Sequence, residues 1–302
     1  MKRTSWTGLA AAAALVLGFP AAASAHAGPA GGHGFGARTL EMGSALHPLI
    51  HAAGGRGNVT GPLYSANWSG YIDGAAVSGT SLQAVGAAFT SVSTTFTVPQ
   101  LDASSPSNSS NAIWTGIGGV FGTGGIVQAG VLETAQNRKT QTYTPIVEDY
   151  PNPIMSLGKS VSPGDAVTVI ISDQSGVWML SMSDSTGSTL NWSIGPTAIY
   201  SYYAAGAFVA PDTTTAEWID EDPFCGGTYC KFATFNPVTF SAVTDTATTN
   251  VSRTPLESII VSRSGQPEVS ISPPSIGSAS LTTGSYSSFT VTRLASGHGP
   301  HA

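Results

Sequence analysis

The sequence predicts an all-β protein, with antiparallel strands packed as a two-sheet β-sandwich. Three observations carry this. Short runs of alternating apolar and polar residues recur along the chain. Gly, Pro, Asn and Ser fall mostly between those runs. No long apolar stretch with a 3.6-residue period interrupts them. A length of 302 residues suits one large β domain as well as two smaller ones.

The first 25 residues stand outside this fold. Lys2 and Arg3 precede an apolar run over residues 9–19, then Ala23-Ser24-Ala25. That is the layout of a secretory signal with an A-x-A cleavage site, and the apolar run is too short to span a bilayer. Residues 26–60 are rich in Gly, Ala and His and lack strand alternation, so they read as a leader or pro-segment, largely disordered. Residues 61–294 form the expected sandwich, and 295–302 a tail.

The expected strands follow in order. They are SGYI (69–72), TSVSTTFTV (90–98), NAIWTGI (111–117), GGIVQAGV (124–131), AVTVIIS (166–172), GVWMLSMSD (176–184), TTAEWID (214–220), ATFNPVTFSAV (233–243) and SSFTVTR (287–293). Between the second and third lies a polar loop, SSPSNSSN.

Composition excludes several functions. Net charge is −6 with 11 Lys+Arg and no basic cluster, which argues against nucleic acid and anionic membrane surfaces as partners. All 6 histidines (His26, His33, His47, His51, His298, His301) lie in the leader or the tail. The domain therefore holds no Ser-His-Asp triad, Cys-His pair or His-based zinc site. No phosphate-binding loop and no HExxH motif occurs. Asp184-Ser185-Thr186-Gly187 only approximates an aspartic-protease signature, once, and reads as a turn. Export makes Cys225 and Cys230 a local disulfide by default, stiffening a turn more than holding the fold.

What remains is carboxylate chemistry without histidine. Only 9% of residues are charged, yet Glu217, Asp220, Glu221 and Asp222 fall within six positions around Trp218. Period-2 alternation puts Glu217, Ile219 and Glu221 on one strand face and Ala216, Trp218, Asp220 and Asp222 on the other. A solvated strand end leading into Pro223 is the plainer reading of such a run.

Here the residues carry a resemblance. Ser65-Ala66-Asn67-Trp68-Ser69-Gly70 resembles S-x-N-W-x-G of the secreted glutamic peptidases (eqolisins). Ala112 to Gly119, AIWTGIGG, resembles their W-x-G-I-x-G strand. Gly125 to Gly130, GIVQAG, resembles the I-L-Q-x-G strand that carries the catalytic glutamine. Glu148-Asp149-Tyr150-Pro151 resembles the end of an E-W-Y-P segment. Ala216 to Asp222, AEWIDED, resembles A-E-[FW]-I-x-E-D, whose second Glu is catalytic. The Cys225–Cys230 pair and the following FATFNPV resemble the family's local disulfide and F-A-x-F-x-P strand. The motifs come in order across residues 64–294.

The resemblance implies a concanavalin- or jelly-roll-like sandwich with Gln128 and Glu221 on the concave face of one sheet. Gln128 and Glu221 would form the catalytic pair, with Trp68, Trp114, Glu148 and Tyr150 around substrate. Glu221 would act as general base, then acid, and Gln128 would stabilise the oxyanion, without a covalent intermediate. A base with a pKa near that of free Glu, about 4.3, suits an acid medium. Polypeptide substrates, no cofactor, no metal, a monomer and an extracellular location are the matching expectations. Gly118, where the family often has Asp, and Ile146 and Asp149, where aromatics are common, depart from the pattern and leave subsite preference open.

Residue by residue, alternatives stand. Trp68 and Trp114 are either core aromatics or cleft walls. Glu148 either positions substrate or caps a loop. Glu217 either modulates Glu221 or faces solvent. Two rival functions also stand: a glycosidase pairing Glu221 with Glu148 or Glu133, and a non-catalytic carbohydrate-binding sandwich.

Overall fold

In the computed structural model, two sheets carry the architecture. The structure describes residues 40–41, 51–52, 63–78, 81–121, 125–152, 154–185, 189–194, 209–225, 228–248, 256–263, 266–279 and 283–294. All lie in the compact unit Arg38–Ala302. The expected signal peptide, the tail and most of the leader fall outside the described residues.

The principal strands are β1 (Trp68–Asp73), β2 (Phe89–Thr97), β3 (Ser109–Gly118), β4 (Ile126–Asn137), β5 (Thr140–Tyr150), β6 (Ala166–Gln174), β7 (Val177–Ser183), β8 (Thr189–Ile194), β9 (Ala216–Glu221), β10 (Val238–Ala247), β11 (Glu257–Arg263), β12 (Thr283–Tyr286) and β13 (Phe289–Arg293). One sheet runs β5-β4-β3-β9-β1-β11, extended beyond β11 by Leu63–Ser65 and His51–Ala52. The other runs β8-β7-β6-β2-β10-β12, with β13 also paired to β10. Pairing between the principal strands is antiparallel throughout. No helix occurs among the described residues, so none there is long and apolar enough to cross a membrane.

The main core fills the space between the sheets. Ile113, Ile117, Val127, Val131 and Trp218 meet Phe89, Val92, Phe96, Val169, Ile171, Phe240 and Phe289 there. Phe240 stacks on Phe289, and the Trp218 indole N–H donates to the Ser93 carbonyl at 3.0 Å, tying β9 to the facing sheet. Strand β2 alternates buried and half-buried positions, as a strand covered on one face does. Strands β3 and β9 differ: every residue of both is buried. The reason is a second apolar cluster on the opposite face of their sheet, made by Trp68, Ile72, Ala112, Trp114, Leu132, Ile146 and Ile219. The acidic run is thus an interior strand rather than a solvated end.

Several stretches depart from the sequence reading. Residues 140–150 form an eleven-residue strand that was not expected. Pro145 broke its pattern, and Pro is tolerated here because the outer neighbour of β5 is only the short strand Met155–Ser156. Residues 233–237 were expected to open a strand, but β10 starts at Val238, after Pro237. A proline has no N–H for the ladder. Residues 233–236 instead make irregular ties, with Ala233 N–H donating to Ser110 and Asn236 N–H to Gln100. Strands β8, β11 and β12 were also not expected from the sequence.

Candidate active site

Strand β9 sits between β3 and β1, and its register fixes what each acid can reach. Glu221 lies opposite Ala112 and Trp68, Ile219 opposite Trp114 and Gly70, and Glu217 opposite Gly116 and Ile72. Alternation therefore places Glu217 and Glu221 on the face of the second apolar cluster. Trp218 and Asp220 take the opposite face, as the sequence predicted, and that face meets the main core.

Both Glu221 carboxylate oxygens accept hydrogen bonds. The Asn67 amide Nδ2 donates to Oε1 at 2.9 Å, and the Trp114 indole Nε1 donates to Oε2 at 2.7 Å. Trp114 packs edge-on against Trp68 with ring centroids 5.0 Å apart, a contact worth about 0.5–1.5 kcal/mol beyond area burial. Both rings are buried, Trp114 entirely.

Gln128 projects from β4 on the same face, opposite Gly116 on β3 and Glu148 on β5. Its amide Nε2 donates to Glu148 Oε2, while its Oε1 makes no hydrogen bond among the described residues. Gly116 opens the space between Gln128 and Trp114. A side-chain carbon placed there would lie 3.1 Å from Gln128 Cβ and 3.1 Å from Trp114 Cζ3. The Trp114 ring therefore reaches from the Glu221 carboxylate at its N–H edge to the neighbourhood of Gln128 at its benzo edge. Glu221 and Gln128 are both 0% exposed and Glu148 is 1% exposed, so solvent does not reach them in this form.

The neighbouring acids are strongly perturbed. Burial pushes Asp220 up to about 8; the nearby Asn111 amide and Arg293 charge offset this only in part, and the charge of Glu221 adds to it. Burial likewise raises Glu133 well above the usual carboxylate range, and Asn111 Nδ2 donates to its Oε2 at 3.2 Å. Glu217 is wholly buried and also raised well above that range by burial, with the Thr215 hydroxyl opposing. Unpaired charges are too costly in such surroundings, so these acids stay neutral over a wide pH range. Tyr229, on the disulfide hairpin, is raised by burial and then by Glu221. Among the described residues no group of three or more His, Cys, Asp or Glu side chains is placed to hold a metal ion.

The structure brings Gln128, Glu221, Trp68, Trp114, Glu148 and Tyr150 to one face, with half-buried Tyr150 packed against the apolar cluster there. Cys225 and Cys230 form a disulfide with Cα atoms 5.0 Å apart, in the hairpin after β9. Glu133 lies elsewhere. It pairs in register with Asn111 and projects into the inter-sheet side, away from Glu221, so it cannot serve as that residue's partner carboxylate. Glu217 does not face solvent.

Asp149, opposite Val127, also turns inward; it accepts from Asn152 Nδ2 at 3.1 Å and burial raises it to about 6. It is thus no substrate contact, whereas Ile146 remains on the site face. Gly118 has φ +96°, and a side-chain carbon there would sit 2.6 Å from the Asp212 carbonyl oxygen. The position demands glycine and presents no carboxylate. The sequence reading gave Asn67 no role of its own. Its signal was the conjunction of Ser65, Asn67 and Trp68 immediately before a strand.

A family model described as the Peptidase A4 family matches residues 67–276. Among solved structures, scytalido-glutamic peptidase bound to a transition state analog inhibitor matches with TM-score 0.55 and 22% identity. The match covers 76% of this chain and 98% of that one. SCP-B, an eqolisin-family peptidase in complex with the tripeptide Ala-Ile-His, matches with TM-score 0.52 and 18% identity, over 76% of this chain and 98% of its own. At these identities the likeness speaks for the fold. No curated protein sequence matches the chain.

Proposed function

The chain belongs to the Peptidase A4 family and is a peptidase acting on polypeptides, and on that premise we propose that it is a secreted acid endopeptidase working through Glu221 and Gln128. Glu221, ionised, takes a proton from water as that water attacks the scissile carbonyl. A C–O bond forms and the carbonyl electrons move onto oxygen. The Gln128 amide has a second N–H besides the one given to Glu148, and it donates to this oxyanion. Glu221 then delivers its proton to the leaving nitrogen as the C–N bond breaks. Glu148 holds the Gln128 amide; Trp68, Trp114 and Tyr150 flank the substrate.

The observation that carries this reading is Glu221 itself. It is a fully buried carboxylate whose two oxygens both receive N–H donors, on the same sheet face as the glutamine. A glutamine amide does not titrate, so it stays a donor at any working pH.

The leader, residues 26–60, acts as a pro-segment in this proposal. Leu40–Glu41 pairs antiparallel with Phe224–Cys225, shortly beyond Glu221, and Glu221 and Gln128 are both buried. Secretion agrees with the amino-terminal signal pattern and the disulfide.

The test is to incubate the acid-processed protein with a denatured protein and with polysaccharides at acid pH. Peptide release that resists chelators and serine- and cysteine-directed reagents is expected. Release of sugars without peptides would favour the glycosidase pairing of Glu221 with Glu148 instead.

A further inference from the structure

Resting on the reading of Glu221 as the base, we propose that Asn67 is its positioning residue and that Ser65 fixes which end of the Asn67 amide meets it. Asn67 is tied to the end of β9 twice. Its Nδ2 donates to Glu221 Oε1 at 2.9 Å, and its main-chain carbonyl accepts the Asp222 N–H at 2.9 Å. A shift of either segment would break both bonds.

The amide has two orientations, and two neighbours choose between them. The Ser65 hydroxyl accepts the main-chain N–H groups of Asn67 at 3.2 Å and Trp68 at 3.0 Å. With both lone pairs so used, its own hydrogen goes to Asn67 Oδ1, at 3.3 Å. That oxygen is then the acceptor end, and Nδ2 faces the carboxylate. The flipped amide would set oxygen against oxygen at Glu221 and leave the serine hydrogen facing an NH2 group.

The chemistry explains why an uncharged donor suits this place. A donor favours the ionised carboxylate that must accept a proton from water. A lysine or arginine would hold the carboxylate too firmly ionised to take the proton, and a histidine would itself titrate in the working range. Asn67 donates to one oxygen and Trp114 to the other, so the ionised form is supported at both ends by neutral donors.

Other titratable groups bear on Glu221. Among the described residues, Tyr229 of the hairpin and Asp220 on the opposite face of β9 interact with it electrostatically. Glu217 shares its strand face and Asp222 follows it in the chain.

The experiment is the pH dependence of kcat/KM for Asn67→Asp, Asn67→Ala and Ser65→Ala, each expressed as the full chain and then processed, with Glu221→Gln beside them. Asn67→Asp keeps the shape and replaces the donor by a second carboxylate. Its acid limb should move to higher pH by about one unit or more. Asn67→Ala should lower kcat about tenfold and move the limb the same way, with KM within about twofold of wild type. Ser65→Ala should follow with a smaller displacement. Acid limbs at the wild-type position in both Asn67 variants, with activity falling only in proportion to folded protein, would show Asn67 to be a turn residue and overturn the proposal. If Glu221→Gln keeps wild-type activity, the base assignment itself falls, and the two failures are thereby told apart.

Discussion

The Gln128 amide, on β4, donates to the Glu148 carboxylate directly across the strand pair on β5. An ionised carboxylate has acceptors only, so in that state it compels the amide to present its NH2 end to that side. The second N–H of the same group is then fixed in direction as well. An oxyanion donor is effective when it is aimed before the charge develops.

Glu148→Gln should therefore lower kcat by about tenfold while changing KM little, because the partner no longer dictates the amide orientation. Single-turnover kinetics on a peptide substrate read this directly. Unchanged kcat would mean that the Gln128 orientation is set elsewhere.

Trp114→Phe tests the other donor to Glu221. It keeps an aromatic ring against Trp68 and removes one N–H. A hydrogen bond to a charged group contributes about 1.5–3 kcal/mol, so kcat/KM should fall roughly 10- to 100-fold. The thermal midpoint at acid pH should move far less than for Trp114→Ala, which opens a cavity.

Stability should depend on pH in a definite direction. Asp220, Asp149, Glu133 and Glu217 are all raised above their unfolded values by burial. Raised acids contribute stability that is fully present below the unfolded carboxylate range and is lost as pH climbs through the folded values. The window here runs from the ordinary carboxylate range upward, through about 6 for Asp149 and about 8 for Asp220. A tenfold difference in proton affinity between folded and unfolded chain corresponds to about 1.4 kcal/mol. Calorimetry should find the thermal midpoint highest at acid pH and lower by roughly 10 °C near pH 8. Asp220→Asn should flatten that decline; an equal decline in the variant would assign it to other groups.

Removing the pro-segment should expose the site. Protein processed to lose residues 26–60 should cleave a small peptide substrate faster than the unprocessed chain. Added back as a free peptide, the segment should slow the reaction, and Leu40→Pro should weaken this by breaking the pairing with Cys225. Equal rates with and without the segment would remove its proposed role.

Much of this site was legible because strands alternate. Once residues 216–221 read as a strand, the faces of Glu217, Glu221 and Asp220 followed, and the register agrees. The absence of histidine from the domain narrowed the chemistry before any geometry was known. Burial was not legible. Alternation tells two faces apart but does not say that both are covered, and the second apolar cluster forms only from strands far apart in the chain. The acidic run accordingly looked like a solvated end. Strand β5 was hidden because Pro145 mimics a breaker, and what makes it harmless is a two-residue neighbour. Asn67 was hidden for another reason: its partner lies 154 residues away, and no local pattern records that contact.

The most direct test of the Glu221–Gln128 pair compares Glu221→Gln and Gln128→Ala with wild type, by peptide release from a denatured protein at acid pH, with folding checked by near-UV circular dichroism. No measurable turnover is expected for Glu221→Gln. A loss of about 10²–10³ in kcat is expected for Gln128→Ala, as for other oxyanion donors. Digestion at the wild-type rate by both folded variants would contradict the assignment of this pair.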